Sequence, residues 1–189
     1  MFNVRLKPRG NYGLGSGEMF DSIASRYDMI NRLMTLGLDT GWRRATVDGL
    51  KVGFDDANES MWEKRCVFPS HWVVDLATGT ADVAVMIAKD LEKLTGSETC
   101  NDGAEGRTPA VGIDPSANML VVGRGKASAQ GLSSVIELRM GDAHQLKEIP
   151  DSSVDKVTMA FGIRNVPDRS LALSEIRRIM ATSTGDDAV

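Results

Sequence analysis

Three aspartates stand at the ends of three short apolar runs, and the first of them opens a tight turn of small residues. That turn reads Asp75-Leu76-Ala77-Thr78-Gly79-Thr80-Ala81-Asp82. Gly79 lets the backbone bend sharply and approach a ligand, and Ala77 and Ala81 are small enough to leave room on either side. Asp114 ends the second run, and Asp142 follows the third in Gly141-Asp142-Ala143. A carboxylate placed like Asp114 can accept both hydroxyls of a ribose lying across the strand ends, and one placed like Asp142 can accept from an adenine amino group. Taken singly, each acid serves as well for a helix cap or a turn, and the turn for a plain strand-to-helix junction. Together, at three successive strand ends, they point to a nucleoside site. The candidate cofactor contacts are Asp75, Gly79, Thr80, Asp114, Asp142 and Ala143.

Charge bears on which nucleoside. A dinucleotide sets its pyrophosphate on a helix N-terminus, and the G-x-G-x-x-G turn keeps that approach open. Here Asp82 occupies the place of the last glycine. A carboxylate there repels a pyrophosphate but suits S-adenosylmethionine, which has no phosphate and carries a cationic sulfonium and an ammonium group. No Walker lysine follows the turn, so a nucleoside triphosphate is also disfavoured.

The elements that must position these residues follow from periodicity. From Glu18 to Leu50 apolar residues recur at helical spacing, which predicts two helices broken near Gly37 to Gly41. Trp72 to Ala77 reads as a strand and Ala81 to Leu94 as a helix. Ala110 to Ile113, Ser116 to Gln130 and Val135 to Met140 read as strand, helix and strand. Val154 to Phe161 reads as a fourth strand, and Asp168 is placed to cap a last helix through Met180. Strands alternating with helices predict an α/β, Rossmann-like, doubly wound and mostly parallel sheet. Residues 53–70 and 95–109 are polar or aperiodic and read as insertions. The second accounts for a spacing between Asp75 and Asp114 longer than the usual one of about 20 residues. The chain thus divides into a flexible segment 1–17 and a single domain 18–189 with a helical layer over 18–50.

Composition narrows the partners. A net charge of -4 and scattered Lys and Arg residues give no stripe for a phosphate polymer, so nucleic acid is not an expected partner. Cys66 and Cys100 lack CxxC spacing and, with only His71 and His144 beside them, make no zinc-ligand set. No metal is expected. No apolar stretch approaches the roughly 20 residues of a bilayer-spanning helix. Arg5, Lys7 and Arg9 precede the first acid, Glu18, a bias that fits either a matrix-targeting peptide or an ordinary tail.

Two segments carry a family likeness. Phe20-Asp21-Ser22-Ile23-Ala24-Ser25-Arg26-Tyr27-Asp28 resembles the N-terminal signature of the ubiquinone and menaquinone C-methyltransferases, and Phe161-Gly162-Ile163-Arg164-Asn165-Val166-Pro167-Asp168 resembles their second signature. The turn at 75–82 and Gly112 to Leu120 are similar to the family's cofactor motifs, so the likeness covers about residues 18–180. Ala77-Thr78 and Ala81-Asp82 depart from it where the family carries more glycine, and Ala160 replaces a small polar residue.

The resemblance implies the class I S-adenosylmethionine-dependent methyltransferase fold and transfer of a methyl group to a ring carbon of a polyprenylated benzoquinol. A naphthoquinol is the nearest alternative acceptor. It also implies catalytic roles for Arg164, Asn165 and Tyr27. Arg164 stays protonated, so it would stabilise a phenolate or orient a water instead of acting as the base. Asn165 would hold that water or a ring oxygen, and Tyr27 would line the pocket. Read without the likeness, Arg164 and Asn165 are a polar loop after a strand, and Tyr27 a core-facing helix residue.

Further expectations come from the same source: the matrix side of the mitochondrial inner membrane or a bacterial cytoplasm, peripheral membrane contact, and a homodimer or quinone-biosynthesis complex. The family continues past the last helix into a fifth strand, another helix and a hairpin. The sequence reads as ending before these, which leaves the fourth strand's edge open and predicts low stability, self-association and weak catalysis. A non-catalytic assembly subunit and a generic small-molecule methyltransferase are the competing readings.

Overall fold

The computed structural model describes residues 18–50, 72–95 and 109–180. The segments expected to be a flexible N-terminus and insertions, 1–17, 53–70 and nearly all of 95–109, lie outside the described residues, as do Cys66, His71 and Cys100.

Three helices come first: α1 (Glu18–Asp21), α2 (Ala24–Met34) and α3 (Leu38–Gly49). The break expected near Gly37 to Gly41 falls at the front of that range. Leu36 (φ 53°) and Gly37 (φ 83°) both adopt left-handed backbone, whereas Gly41 sits inside α3. Strands and helices then alternate as β1 (Val73–Leu76), α4 (Asp82–Thr95), β2 (Ala110–Asp114), α5 (Ala117–Ala129), β3 (Ile136–Met140), β4 (Lys156–Thr158) and α6 (Arg169–Ile179). Ser116 caps α5 by accepting from the Met119 amide at 3.2 Å, and Asp168 caps α6 by accepting from Leu171 at 3.0 Å.

The four strands form one parallel sheet in the order β3-β2-β1-β4. The two central strands, β1 and β2, are buried along their whole length and are apolar on both faces, whereas β3 and β4 at the edges are only partly buried. Val73, Ala84, Ile87, Leu120, Leu132 and Leu138 fill one cluster, while Val74, Leu76, Val111, Ile113, Ile149 and Ile179 fill the other. The strand order reverses between β1 and β4, and that reversal opens a crevice outside the carboxyl end of β1.

The fourth strand is shorter than its apolar run. Val154 to Phe161 was the expected strand, but pairing with β1 spans only Lys156 to Thr158. At its start the Asp155 carboxylate accepts from the Trp72 amide at 2.6 Å. At its end Phe161 takes φ 61°, which turns the chain out of the sheet and toward the crevice. Nor is the strand's outer edge wholly open: Val154 bridges in parallel to Met180, and the Ser153 and Val154 amides both donate to the Ile179 carbonyl.

Candidate active site

The crevice holds a cleft open to solvent, and the ends of all four strands reach it. Among its lining residues are Tyr27, Gly79, Asp114, Asp142, Ala143 and Asn165, six of the nine residues that the sequence singles out. A smaller neighbouring cleft is lined by Asp75 and Thr80, and it shares Tyr27, Ala77 and Gly79 with the first. Arg164 belongs to neither lining; it sits with Ile163 and Asn165 in a short 3-10 turn and is exposed.

The turn after β1 makes the floor. Three of its five residues from 77 to 81 have positive φ: Ala77 at 52°, Gly79 at 58° and Ala81 at 62°. For the two alanines this is strained backbone, of order 1–3 kcal/mol each, of the kind that folds retain where a site requires it. Two alanines thus take the left-handed backbone that glycine adopts without a steric cost. Close packing explains the small residues around them: a Cβ added to Gly162 would lie 2.5 Å from the Ala77 Cβ, and one added to Gly141 would lie 2.8 Å from Ile113 Cγ2. Gly79 has nothing within 4 Å of such an atom, so the space over it is free for a ligand.

Asp114 is held ready rather than free. One carboxylate oxygen accepts from the Gly79 amide at 2.8 Å and the other from the Ser116 amide at 2.9 Å, which leaves each oxygen a further lone pair. Burial pushes its pKa above the ordinary carboxylate value, against the pull of those two amide bonds.

Asp75 lies behind the turn, 2% exposed, with its oxygens accepting from the Thr78 and Thr158 hydroxyls, each at 2.6 Å. Burial, aided by the charge of Asp114, raises its pKa to about 6 in spite of those hydroxyls. Thr80 is also committed: it donates to Asp28 at 2.6 Å and accepts from Lys126 at 2.9 Å. Both residues therefore shape the turn from beneath.

Asp82 is not the bare negative charge that its place in the sequence suggests. Its carboxylate is paired with Lys126 on one oxygen and with Arg43, at 3.2 Å, on the other. Both cations are shared with other acids, Lys126 with Asp28 and Arg43 with Asp39, so the Asp82 charge is paired but not cancelled. Nothing near Asp82 in sequence announces these partners, which lie on α3 and α5.

Residues that the sequence did not single out complete the walls. Phe20 stands edge-to-face with Tyr27, ring centroids 6.2 Å apart, and both line the cleft. His144 Nδ1 lies 2.6 Å from an Asp142 oxygen, and its Nε2 accepts from the Asp168 amide at 3.1 Å. This bridge ties the loop after β3 to the loop carrying Asn165. Its signal was available, since His144 stands two residues after Asp142. Phe161 closes the other side, its ring 6.1 Å from Trp42 on α3.

A buried carboxylate at the end of β2, a strained small-residue turn and an aromatic pair brought over from a helical layer form a cleft that can hold a nucleoside against the strand ends. Solved structures share the fold. One is a protein from Methanococcus maripaludis described as an S-adenosyl-L-methionine-dependent methyltransferase (TM-score 0.59, 14% identity, 94% of this chain and 64% of that one). Another is such a methyltransferase from Thermotoga maritima (TM-score 0.54, 18% identity, 88% and 57%).

In sequence, the chain is 35% identical over 167 residues to the ubiquinone/menaquinone biosynthesis C-methyltransferase UbiE of Geotalea daltonii, covering 86% of this chain and 57% of the relative. It is 38% identical over 164 residues to the demethylmenaquinone methyltransferase of Thermus thermophilus, covering 86% and 60%. It therefore spans less than two thirds of the length of these relatives. The model of the ubiE/COQ5 methyltransferase family matches residues 15–185, and the chain belongs to that family.

Proposed function

We propose that this chain binds S-adenosyl-L-methionine in the larger cleft, and that it serves the transfer of the donor's methyl group to a ring carbon of a polyprenylated benzoquinol. Asp114 carries the reading: a buried carboxylate, fixed by two backbone amides and with lone pairs to spare, meets the paired hydroxyls of a ribose. Ile113, Pro115 and Met119 beside it offer an apolar bed for adenine, and Asp142 an acceptor for its amino group. Bound there, S-adenosyl-L-methionine would supply an electrophilic methyl group on a sulfonium.

Carbon methylation also needs an electron-rich ring, which an ionised quinol hydroxyl provides. Asn165 holds the ring oxygen or a water beside it, and Tyr27 lines the same space from α2. Arg164, next to Asn165 in the same turn, is exposed outside the lining of the cleft and would stabilise the phenolate by swinging inward. Positioning of donor and acceptor supplies most of the rate gain. Exposed apolar residues where α2 gives way to α3 (Leu33, Met34, Leu36, Leu38), together with Trp42 against Phe161, fit a prenyl tail that leaves the cleft toward a bilayer surface. A naphthoquinol acceptor is the second reading, favoured by the relatives named as demethylmenaquinone methyltransferases.

Calorimetric titration with S-adenosyl-L-methionine and with NAD tests the first half. The chain should bind only the former, and Asp114→Ala should weaken that binding by about 1.5–3 kcal/mol. Equal affinity of the two proteins would remove Asp114 from the site. Methyl transfer to short-chain benzoquinol and naphthoquinol analogues, run side by side, separates the two acceptors. Arg164→Ala should depress that turnover while leaving cofactor affinity nearly unchanged.

A further inference from the structure

The first signature, Phe20 to Asp28, contributes two aromatic rings to the cleft, but its two acids point elsewhere. Asp21 accepts from the Ser116 hydroxyl at 2.5 Å and from the Asn118 amide at 3.0 Å, and its own carbonyl accepts from the Asn118 side chain at 3.1 Å. It thereby fastens α1 to the start of α5. Asp28, one residue after Tyr27, accepts from the Thr80 hydroxyl and pairs with Lys126, each at 2.6 Å.

Lys126 is the centre of this second attachment. Its ammonium has three protons and spends them on Asp28, on Asp82 and on Thr80 at 2.9 Å. The Lys126, Asp28 and Asp82 side chains are 24, 26 and 18% exposed, so the contacts are partly withdrawn from water and stronger than surface ion pairs. Asp82 extends the network, because its second oxygen pairs with Arg43 and Arg43 pairs in turn with Asp39. A carboxylate at the position where dinucleotide turns carry glycine therefore joins α2, through Lys126, and α3 to the first turn of α4.

We propose that Lys126 is a positioning residue: with Asp28 and Asp82 it latches α2 onto the turn after β1 and so holds Tyr27 and Phe20 over the cofactor cleft. The proposal rests on the reading of that cleft as the S-adenosyl-L-methionine site. It assigns a purpose to Asp28 of the signature and to Asp82 that the cleft itself leaves unexplained.

Hydrogen exchange and cofactor titration on Lys126→Met, Lys126→Arg and Asp28→Asn test it in the full chain. Lys126→Met and Asp28→Asn should each speed amide exchange in residues 24–34 by tenfold or more, with exchange in β1 and β2 within twofold of the parent. Lys126→Arg should restore the slow rate. Cofactor affinity should fall by about tenfold in Lys126→Met. In a Phe20→Ala/Tyr27→Ala background the same substitution should change it less than twofold, because the latch acts through those rings. Undiminished protection of residues 24–34 in both variants would overturn the proposal, as would loosening spread evenly over the sheet or a full tenfold effect in the background lacking both rings. If the parent failed to bind S-adenosyl-L-methionine at all, the functional reading would fall, while the exchange measurements would still decide whether the latch exists.

Discussion

Around the sheet, Leu76, Leu120, Ile149 and Ile179 are sealed into two apolar clusters; across α2 and α3, Leu33, Met34, Leu36 and Leu38 face solvent. Only Ala24 and Val47 are buried apolar residues among those described in that helical layer. Val47 of α3 joins the core cluster and Leu50 packs against it, but the other attachments are polar: Asp21 to Ser116 and Asn118, Asp28 to Thr80 and Lys126, Arg43 to Asp82, and Arg44 to Asp90 at 2.7 Å. Apolar burial is nearly indifferent to salt, whereas partly exposed ion pairs are screened by it. A site with one wall on each region joins a rigid floor to a cover that conditions can loosen.

The comparison breaks most easily at the core. Leu120→Ala should lower the free energy of unfolding by about 2–5 kcal/mol, the range for removing a buried leucine side chain. Leu33→Ala on α2 should stay within about 0.5 kcal/mol, as surface substitutions do. Denaturant titration of both variants decides it, and similar losses would mean that the helical layer is packed like the core.

Asp75 sharpens the picture of the floor. A carboxyl whose pKa rises from 3.8 to about 6 on folding binds its proton more tightly in the native state. Its contribution is therefore most favourable below about pH 4 and is lost as pH rises through about 6, a loss of roughly 3 kcal/mol. Asp75→Asn removes this titration. Acids with lowered pKa, such as Asp39 and Glu175, are common to both proteins and cancel in the comparison. The stability of the variant relative to the parent should climb between pH 4 and 6 and then level off. A difference that stays flat across that window would show that Asp75 is not held protonated.

The smallest effect concerns the layer as a whole. Raising salt from about 0.05 to 0.5 M should weaken its attachment by less than about 1 kcal/mol. Exchange in residues 24–34 should quicken severalfold, while the amides of β1 and β2 stay as they were. Equal response of both regions would mean that charge does not distinguish them.

Much of the fold was legible because it rests on local rules. The alternation of apolar runs and helical spacing located β1, β2, β3 and the helices between them, and Asp168 marked the start of α6. The fourth strand was read too long because Ala160 and Phe161 are apolar for a different reason: they leave the sheet to line the cleft, and periodicity cannot tell a strand interior from a binding wall. Of the neighbours Arg164 and Asn165, only the second lines that cleft, a difference set by how the 3-10 turn is seated on the sheet.

By itself, then, the sequence determined the α/β alternation, the small-residue turn and the acids at three strand ends, since each depends on residues close together along the chain. The tertiary structure decided what those residues face. Asp82 reads as an exposed negative charge until folding brings up Lys126, 44 residues away, and Arg43 from α3. Asp114 reads from its neighbours as a strand-end carboxylate, but what holds it there, the Gly79 amide 35 residues away, is set by the fold. Electrostatic and hydrogen-bonding partners are chosen by distance in space, and local propensity carries no information about that distance.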